Sequence, residues 1–300
     1  MKKILLIGGN GYLGCRIYEH LLSKNYDVTN LDLGWYGIIY PETIQKDYRD
    51  LTKEELSKYT HIILLAGHSS VSMCGGELTS CFNNNVFNFV NLLDKISDNQ
   101  TLIYSSTLAV YGNNPKLVTE KDPIKEALNP YDYSKITREN IANLYPNKKL
   151  IGLRFGSVAG FSKNFRNENL LNSLSLSSIN NKSITISNGD AYRSVLGITD
   201  LCRAVDKILE VDIIKNKIYN LTSINHKIID FGLTIQNLTN SEMTVNDTFK
   251  TDYSFNCSSE LFEQDYDFKF QDTIETIYQE IVNNYQDIIS NIKREKKSYE

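Results

Sequence analysis

The first sixteen residues, MKKILLIGGNGYLGCR, constrain the fold more than any other stretch. Ile4 to Ile7 form a short apolar strand, a glycine-rich turn follows, and an amphipathic pattern then predicts a helix from about Tyr12 to Leu22. Gly8, Gly11 and Gly14 punctuate the turn. Residues without a Cβ let backbone amides approach a dinucleotide pyrophosphate, and a helix that starts there turns its positive end toward the phosphates. The spacing is GxxGxxG rather than GxGxxG, so the acid that follows carries much of the weight. The next apolar strand, Tyr26 to Leu33, contains Asp32 near its end. A carboxylate there accepts hydrogen bonds from ribose hydroxyls and repels a 2′-phosphate, which predicts NAD over NADP. Arg16 is the one nearby cation that could favour a 2′-phosphate instead.

Strands and helices continue to alternate along the first half, which predicts a doubly wound parallel α/β sheet of Rossmann type. A short strand near Thr43 to Lys46 leads to Asp47, placed to meet an adenine amino group, while capping of the LTKEEL helix falls to Asp50 or Thr52. His61 to Leu65 is almost wholly apolar, as a strand covered on both faces should be, and runs into the small residues Ala66-Gly67. His68 is expected to be a surface or hydrogen-bonding residue rather than a catalytic base. Asn85 lies among Val86, Phe89 and Val90, so its amide should be partly buried and need a partner. Thr101 to Tyr104 forms a further strand that ends in Ser105-Ser106-Thr107.

The chemistry becomes specific at Pro130-Tyr131-Asp132-Tyr133-Ser134-Lys135, which carries YxxxK. Helical positions four apart share a face, so the Tyr131 hydroxyl and the Lys135 ammonium can both turn toward a cofactor ribose. A phenol ordinarily titrates near ~10. A neighbouring ammonium and an oxidised nicotinamide should favour the phenolate, making Tyr131 a general base, with Thr107 orienting the same substrate hydroxyl.

The segments GGNGYLG, LLAGHSSV, IYSSTLAVYG, PYDYSK and LRFGSVAG stand in the order and spacing of the extended short-chain dehydrogenases/reductases that act on nucleotide sugars, the NAD-dependent epimerase/dehydratase family, which the chain therefore resembles. The resemblance implies a sheet of about seven strands with a smaller C-terminal α/β substrate domain. Residues 1–158 plus 190–223 would bind NAD, and 159–189 plus 224–300 the nucleotide sugar. It implies Thr107, Tyr131 and Lys135 as the catalytic set. Gly8, Gly11, Tyr12, Leu13, Asp32, Asp47, Tyr48, Leu65, Ala66, Gly67, Asn85, Ser105 and Phe155 would line the dinucleotide with Tyr131 and Lys135. Ser69, Ser70, Ser106, Ser157, Asn172 and Arg193 would join Thr107 at the substrate, and no metal is implied. Arg193, in NGDAYR, would contact the diphosphate; its structural alternative is an ion pair with Asp190 or Asp200. A homodimer is implied through the YxxxK helix and the helix before it, with Phe82, Phe87, Val90, Ile136 and Ile141 as apolar contacts.

Departures from the family pattern refine the expectation. Where 4,6-dehydratases carry an Asp-Glu pair after the catalytic Thr, this chain has Leu108 and Ala109, so loss of water is not expected. Gly156-Ser157 stands where many 4-epimerases have an Asn, which predicts a roomier sugar pocket. The C-terminal 252–258 stretch and TIETIYQEI resemble members from bacterial surface-polysaccharide pathways, in particular those that oxidise GDP-heptose at C4. The expected reaction is therefore NAD-dependent oxidation of a sugar 4-hydroxyl to the 4-keto sugar. A 4-epimerase needs the same residues and is the alternative. A non-catalytic NAD-binding regulator on the same fold is the second.

Composition sets limits on the rest. A net charge of −4 excludes a general nucleic-acid surface. Lys293-Arg294-Glu295-Lys296-Lys297 is expected to be a solvated tail. Five cysteines without a CxxC pair predict neither disulfides nor zinc and fit a reducing cytoplasm. The apolar run after Met1 stops at Gly8, too short for a leader, and no stretch approaches a membrane span.

Overall fold

The computed structural model describes residues 2–246 and 253–291. Seven parallel strands form the central sheet: β1 (Lys3–Ile7), β2 (Asp27–Asp32), β3 (Ile44–Gln45), β4 (His61–Leu64), β5 (Thr101–Thr107), β6 (Lys149–Phe155) and β7 (Ile218–Leu221). Their order is β7-β6-β5-β4-β1-β2-β3. β1 pairs with β2 on one side and with β4 on the other, so the winding reverses there. A crevice opens outside the carboxyl ends of strands at such a reversal, which is where open α/β sheets bind ligands.

Apolar runs in β1 and β4 bury both sheet faces. One face carries Ile4, Leu6, Ile63, Ile103 and Ile151 against the helices Tyr12–Ser23, Ile198–Glu210 and Glu260–Tyr266. The other carries Leu5, Ile7, Ile62, Leu64 and Leu102 against Asn88–Lys95 and Pro130–Asn143. This alternation is the period of two expected of a strand. The first helix runs one residue beyond the expected Leu22, and β2 is shorter at both ends than Tyr26 to Leu33.

A second apolar core gathers Leu171 and Leu174, Ile184 and Ile186, Phe231 and Ile235, and Ile277 and Ile281. Its helices are Leu170–Asn181, Ile228–Thr239 and Ile274–Asn283. The apolar residues that recur after Thr273 fall on two helices, Ile274–Asn283 and Tyr285–Asn291. Ser157–Ala159 pairs with Tyr192–Gly197, which pairs antiparallel with Ile224–Lys227. Asn113–Val118 pairs in parallel with Ser254–Cys257, so the late segment reaches back to the end of β5. No helix among the described residues is long and apolar enough to cross a membrane. The 293–297 basic cluster and Asp252 lie outside the described residues.

Candidate active site

A cavity of about 640 Å³ opens along the carboxyl ends of β1, β2, β4 and β5. Its floor begins at the glycine turn. Gly8 has φ +92°, and a Cβ there would lie 2.6 Å from the Ala66 backbone nitrogen. A Cβ on Gly14 would lie 2.0 Å from the Gly8 carbonyl oxygen, so this position lets the helix close onto the turn. The Asp32 carboxylate accepts the amides of Asn10 (2.8 Å) and Gly34 (2.7 Å), which locks the turn to the end of β2. Burial raises its pKa while those amides act in the opposite direction.

The YxxxK residues enter from the helix Pro130–Asn143. Pro130 occupies its first turn, and the Asn129 side chain caps it by accepting the Asp132 amide at 3.0 Å. Tyr131 and Lys135 both face the cavity, with the Lys135 ammonium 5.6 Å from the Tyr131 ring centroid. Thr107, at the end of β5, lines the same cavity, and its hydroxyl acts to lower the Tyr131 pKa. The sequence predicts a phenol held low by its lysine together with an oxidised nicotinamide. In the protein alone burial wins, pushing Tyr131 up to about 12, with the Thr107 hydroxyl the largest opposing influence. Burial likewise drives Lys135 well below the usual lysine range.

Of the residues expected at the dinucleotide, the cavity wall gathers Gly8, Gly11, Tyr12, Leu13, Asp32, Asp47, Tyr48, Leu65, Ala66, Gly67, Ser105 and Phe155. Ser69, Ser70, Ser106, Ser157 and Arg193 also line it. Asn85 and Asn172 do not. Asn85 is fully buried, accepting the His68 amide (2.9 Å) and donating to the His68 carbonyl (3.0 Å) and Ser134, so it shapes the loop after β4 from behind. Asn172 accepts the Gly160 amide and donates to the Tyr12 hydroxyl and the Arg166 carbonyl, so its amide is spent on the scaffold rather than on a diphosphate.

Several hydroxyls and charges are also committed elsewhere. The Ser106 hydroxyl donates to Glu139, which holds Arg154 in a buried bidentate pair (3.0 and 2.7 Å). Ser70 caps the helix Val71–Gly76 through the Met73 amide. Asp47 itself caps the short turn Tyr48–Asp50 and accepts the Arg49 Nε at 2.9 Å, whereas the cap of Lys53–Leu56 is Thr52, as expected. Arg16 donates to Glu280 at 2.9 Å, on a helix remote in sequence, and does not line the cavity. His68 is fully buried rather than at the surface, lies 3.2 Å from Glu77 and does not line the cavity.

Arg193 takes neither of its structural alternatives: Lys227 pairs with Asp190 (3.0 Å) and Arg203 with Asp200 (2.6 Å). Its guanidinium donates to the carbonyls of Tyr253 and Tyr192 and lies 5.6 Å from the Phe255 ring centroid, and burial lowers its pKa to about 10. Sequence reasoning missed the rest of this wall. Arg166 donates to the Ser69 hydroxyl at 2.9 Å, and Tyr253 donates to Asp132 at 2.5 Å. Asn10, Trp35, Tyr36 and Asn164 also face the cavity. The irregular stretch after Asp32 and the Asn-rich 162–172 segment carry no periodicity that would single them out.

The model of the NAD dependent epimerase/dehydratase family matches residues 4–222. A UDP-glucose 4-epimerase of Lactobacillus helveticus is 30% identical over 177 residues, 53% of each chain. A putative UDP-glucose 4-epimerase of Methanocaldococcus jannaschii is 28% identical over 246 residues, 74% of this chain and 79% of that one. The chain thus spans about half the length of the first curated relatives it matches. Among solved structures, TunA, described as an NAD-dependent NDP-hexosamine 5,6-dehydratase of tunicamycin biosynthesis, superposes with a TM-score of 0.83 at 21% identity, covering 95% of this chain and 98% of that one. That likeness is one of fold. With the family match spanning β1 to β7 and the turn, acid and YxxxK helix converging on one cavity, this chain is an NAD-binding enzyme of the NAD-dependent epimerase/dehydratase family.

Proposed function

We propose that the protein oxidises the 4-hydroxyl of a nucleotide-activated sugar, with Tyr131 as the base. The observation that carries this reading is the meeting of Thr107, Tyr131 and Lys135 on one cavity wall above the glycine turn. Gly8, Gly11, Asp32, Ala66 and Gly67 would hold the dinucleotide, Asp32 facing its adenosine ribose. When bound, NAD would supply a hydride acceptor and a positive charge that favours the phenolate. Tyr131, as phenolate, takes the hydroxyl proton as the hydride leaves the same carbon; Lys135 stabilises the phenolate, and Thr107 fixes the hydroxyl in reach. Arg193 would take the substrate diphosphate by exchanging its carbonyl partners for phosphate oxygens, with residues 159–189 plus 224–300 forming the sugar-nucleotide side.

The curated relatives, several of them UDP-glucose 4-epimerases, support return of the hydride to the opposite face, that is, 4-epimerisation. Net oxidation, as in a GDP-heptose 4-dehydrogenase of surface-polysaccharide synthesis, is the second reading. It is favoured by Gly156-Ser157 in the sugar wall, where many 4-epimerases have an Asn. A homodimer through the helices around Phe87, which is 61% exposed, and Ile136 completes the proposal. Incubation with UDP-glucose, UDP-galactose or GDP-heptose followed by mass analysis separates the outcomes. An isomer of unchanged mass identifies the epimerase, and a product lighter by two hydrogens with NADH accumulating identifies the dehydrogenase. Absence of any NADH transient or product with all three would overturn the 4-oxidation.

A further inference from the structure

Three residues beyond Lys135, on the same helix, stands Arg138, the largest fully buried side chain of the described residues. Its Nε donates to the Asn85 carbonyl at 2.9 Å and its Nη1 reaches the Ser105 carbonyl at 3.4 Å. Its guanidinium lies 5.2 Å from the Phe89 ring centroid. The remaining amine, Nη2, has no hydrogen-bond acceptor among the described residues. No carboxylate among them pairs with this cation either: Glu139, the next residue, is taken by Arg154. A buried charge without a counter-charge is costly, and proteins keep one where something else supplies the opposite sign.

The position of that charge is informative. Nη2 lies 3.6 Å from where a Gly67 Cβ would stand, so the cation sits directly behind the Ala66-Gly67 segment of the cavity floor. The glycine turn packs onto the same segment, since a Gly8 Cβ would be 2.6 Å from the Ala66 nitrogen. Ser105, whose carbonyl Arg138 reaches, lines the cavity as well. The guanidinium therefore lies beneath the floor between the turn built for a pyrophosphate and the helix that carries Lys135, separated from the dinucleotide site by one layer of backbone.

We propose that Arg138 is the buried counter-charge of the bound dinucleotide: the diphosphate of NAD, across the Gly67 backbone, supplies the negative charge that the protein leaves out. The proposal separates Arg138 from an ordinary structural arginine by the sign of one effect. An arginine that only braces Asn85 and Ser105 stabilises the protein with or without NAD. A counter-charge is a burden to the nucleotide-free protein and a gain to the loaded one.

The test uses the full chain stripped of nucleotide and then titrated with NAD, with Kd from calorimetry and Tm recorded at each stage. Arg138→Gln keeps donors for the two carbonyls and removes the charge; Arg138→Lys keeps the charge and loses the planar fork. The expected result is a Gln variant whose nucleotide-free Tm equals or exceeds that of the parent protein. Its NAD Kd should rise about tenfold or more, and its NAD-induced gain in Tm should shrink. The Lys variant should keep most of the affinity. A Gln variant that melts earlier without NAD, or is too unstable to purify, while the Lys variant binds no better than Gln, overturns the proposal, as does an unchanged Kd in the Gln variant.

Discussion

The two walls of the cavity are made in different ways. The wall proposed for the dinucleotide is mostly backbone: the ends of β1, β2, β4 and β5 bring Gly8, Asp32, Ala66, Gly67 and Ser105 together, all within the first 107 residues. The wall proposed for the sugar nucleotide is mostly side chains from distant segments: Arg193, Tyr253 and Phe255 hold one another by a hydrogen bond and ring contacts, and Arg166 is held by Ser69. A wall of backbone is fixed by the fold, whereas a wall of side chains can change its selectivity by substitution while the sheet stays as it is.

The largest expected effect lies where the two walls meet. Tyr131→Phe should lower hydride transfer by about 10²- to 10⁴-fold while NAD affinity stays within twofold, measured by stopped-flow absorbance and calorimetry. Near-normal turnover would remove Tyr131 from the chemistry. Next comes the backbone wall. Gly8→Ala places a Cβ 2.6 Å from Ala66 N at φ +92°, and should destabilise the protein by about 2 kcal/mol or more and abolish NAD binding, measured by denaturation with and without NAD. A tolerated alanine would show that the turn is less rigid than the geometry implies. On the side-chain wall, Arg193→Met should raise KM for the nucleotide sugar about tenfold with kcat and NAD affinity little changed. Equal loss in both walls would mean that they are one unit.

The smallest effect is a dependence on pH in the segment that ties the C-terminal helices to the sheet. Asp272 accepts the Asp200 amide at 2.8 Å, and burial together with the Asp200 charge pushes it up to about 6. Its folded pKa is raised, so the stability it contributes is complete below about pH 4 and is lost as pH rises through about 6. Asp272→Asn should therefore raise Tm by a few degrees at pH 8 and leave it unchanged at pH 4. An equal gain at both values would show that charge is not the cause.

The legibility of the two walls in the sequence follows from the same contrast. Gly8, Gly11 and Asp32 were readable because a strand, a tight turn and a second strand obey local rules of spacing. Tyr131 and Lys135 were readable because a helix puts positions four apart on one face. Asn85 was recognisable as a buried amide, but that its partners are the backbone of His68 and the hydroxyl of Ser134, rather than the dinucleotide, depends on packing between segments far apart in the chain. Asn172 failed for a similar reason: its three partners come from Gly160, Tyr12 and Arg166. Tyr253 stood out only as part of the 252–258 resemblance and not as a cavity residue, because its place depends on a strand pairing between Ser254–Cys257 and Asn113–Val118 that spans more than a hundred residues. The depth at which Tyr131 and Lys135 are buried was not legible either, and in the protein alone it raises the phenol and lowers the lysine.

The Asn-rich segment also bears on time. Asn164 donates to the Asn10 carbonyl (2.7 Å), Ser162 to the Tyr12 carbonyl (2.6 Å), and Tyr12 in turn to the Gly160 carbonyl (2.8 Å), so 160–164 is stitched to the glycine turn at three points. Asn10, Tyr12 and Asn164 all line the cavity beside that seam. If a cofactor seated there leaves only when the seam parts, its residence time is set by the frequency of a local opening, and two variants of equal affinity would differ in how long each keeps its nucleotide.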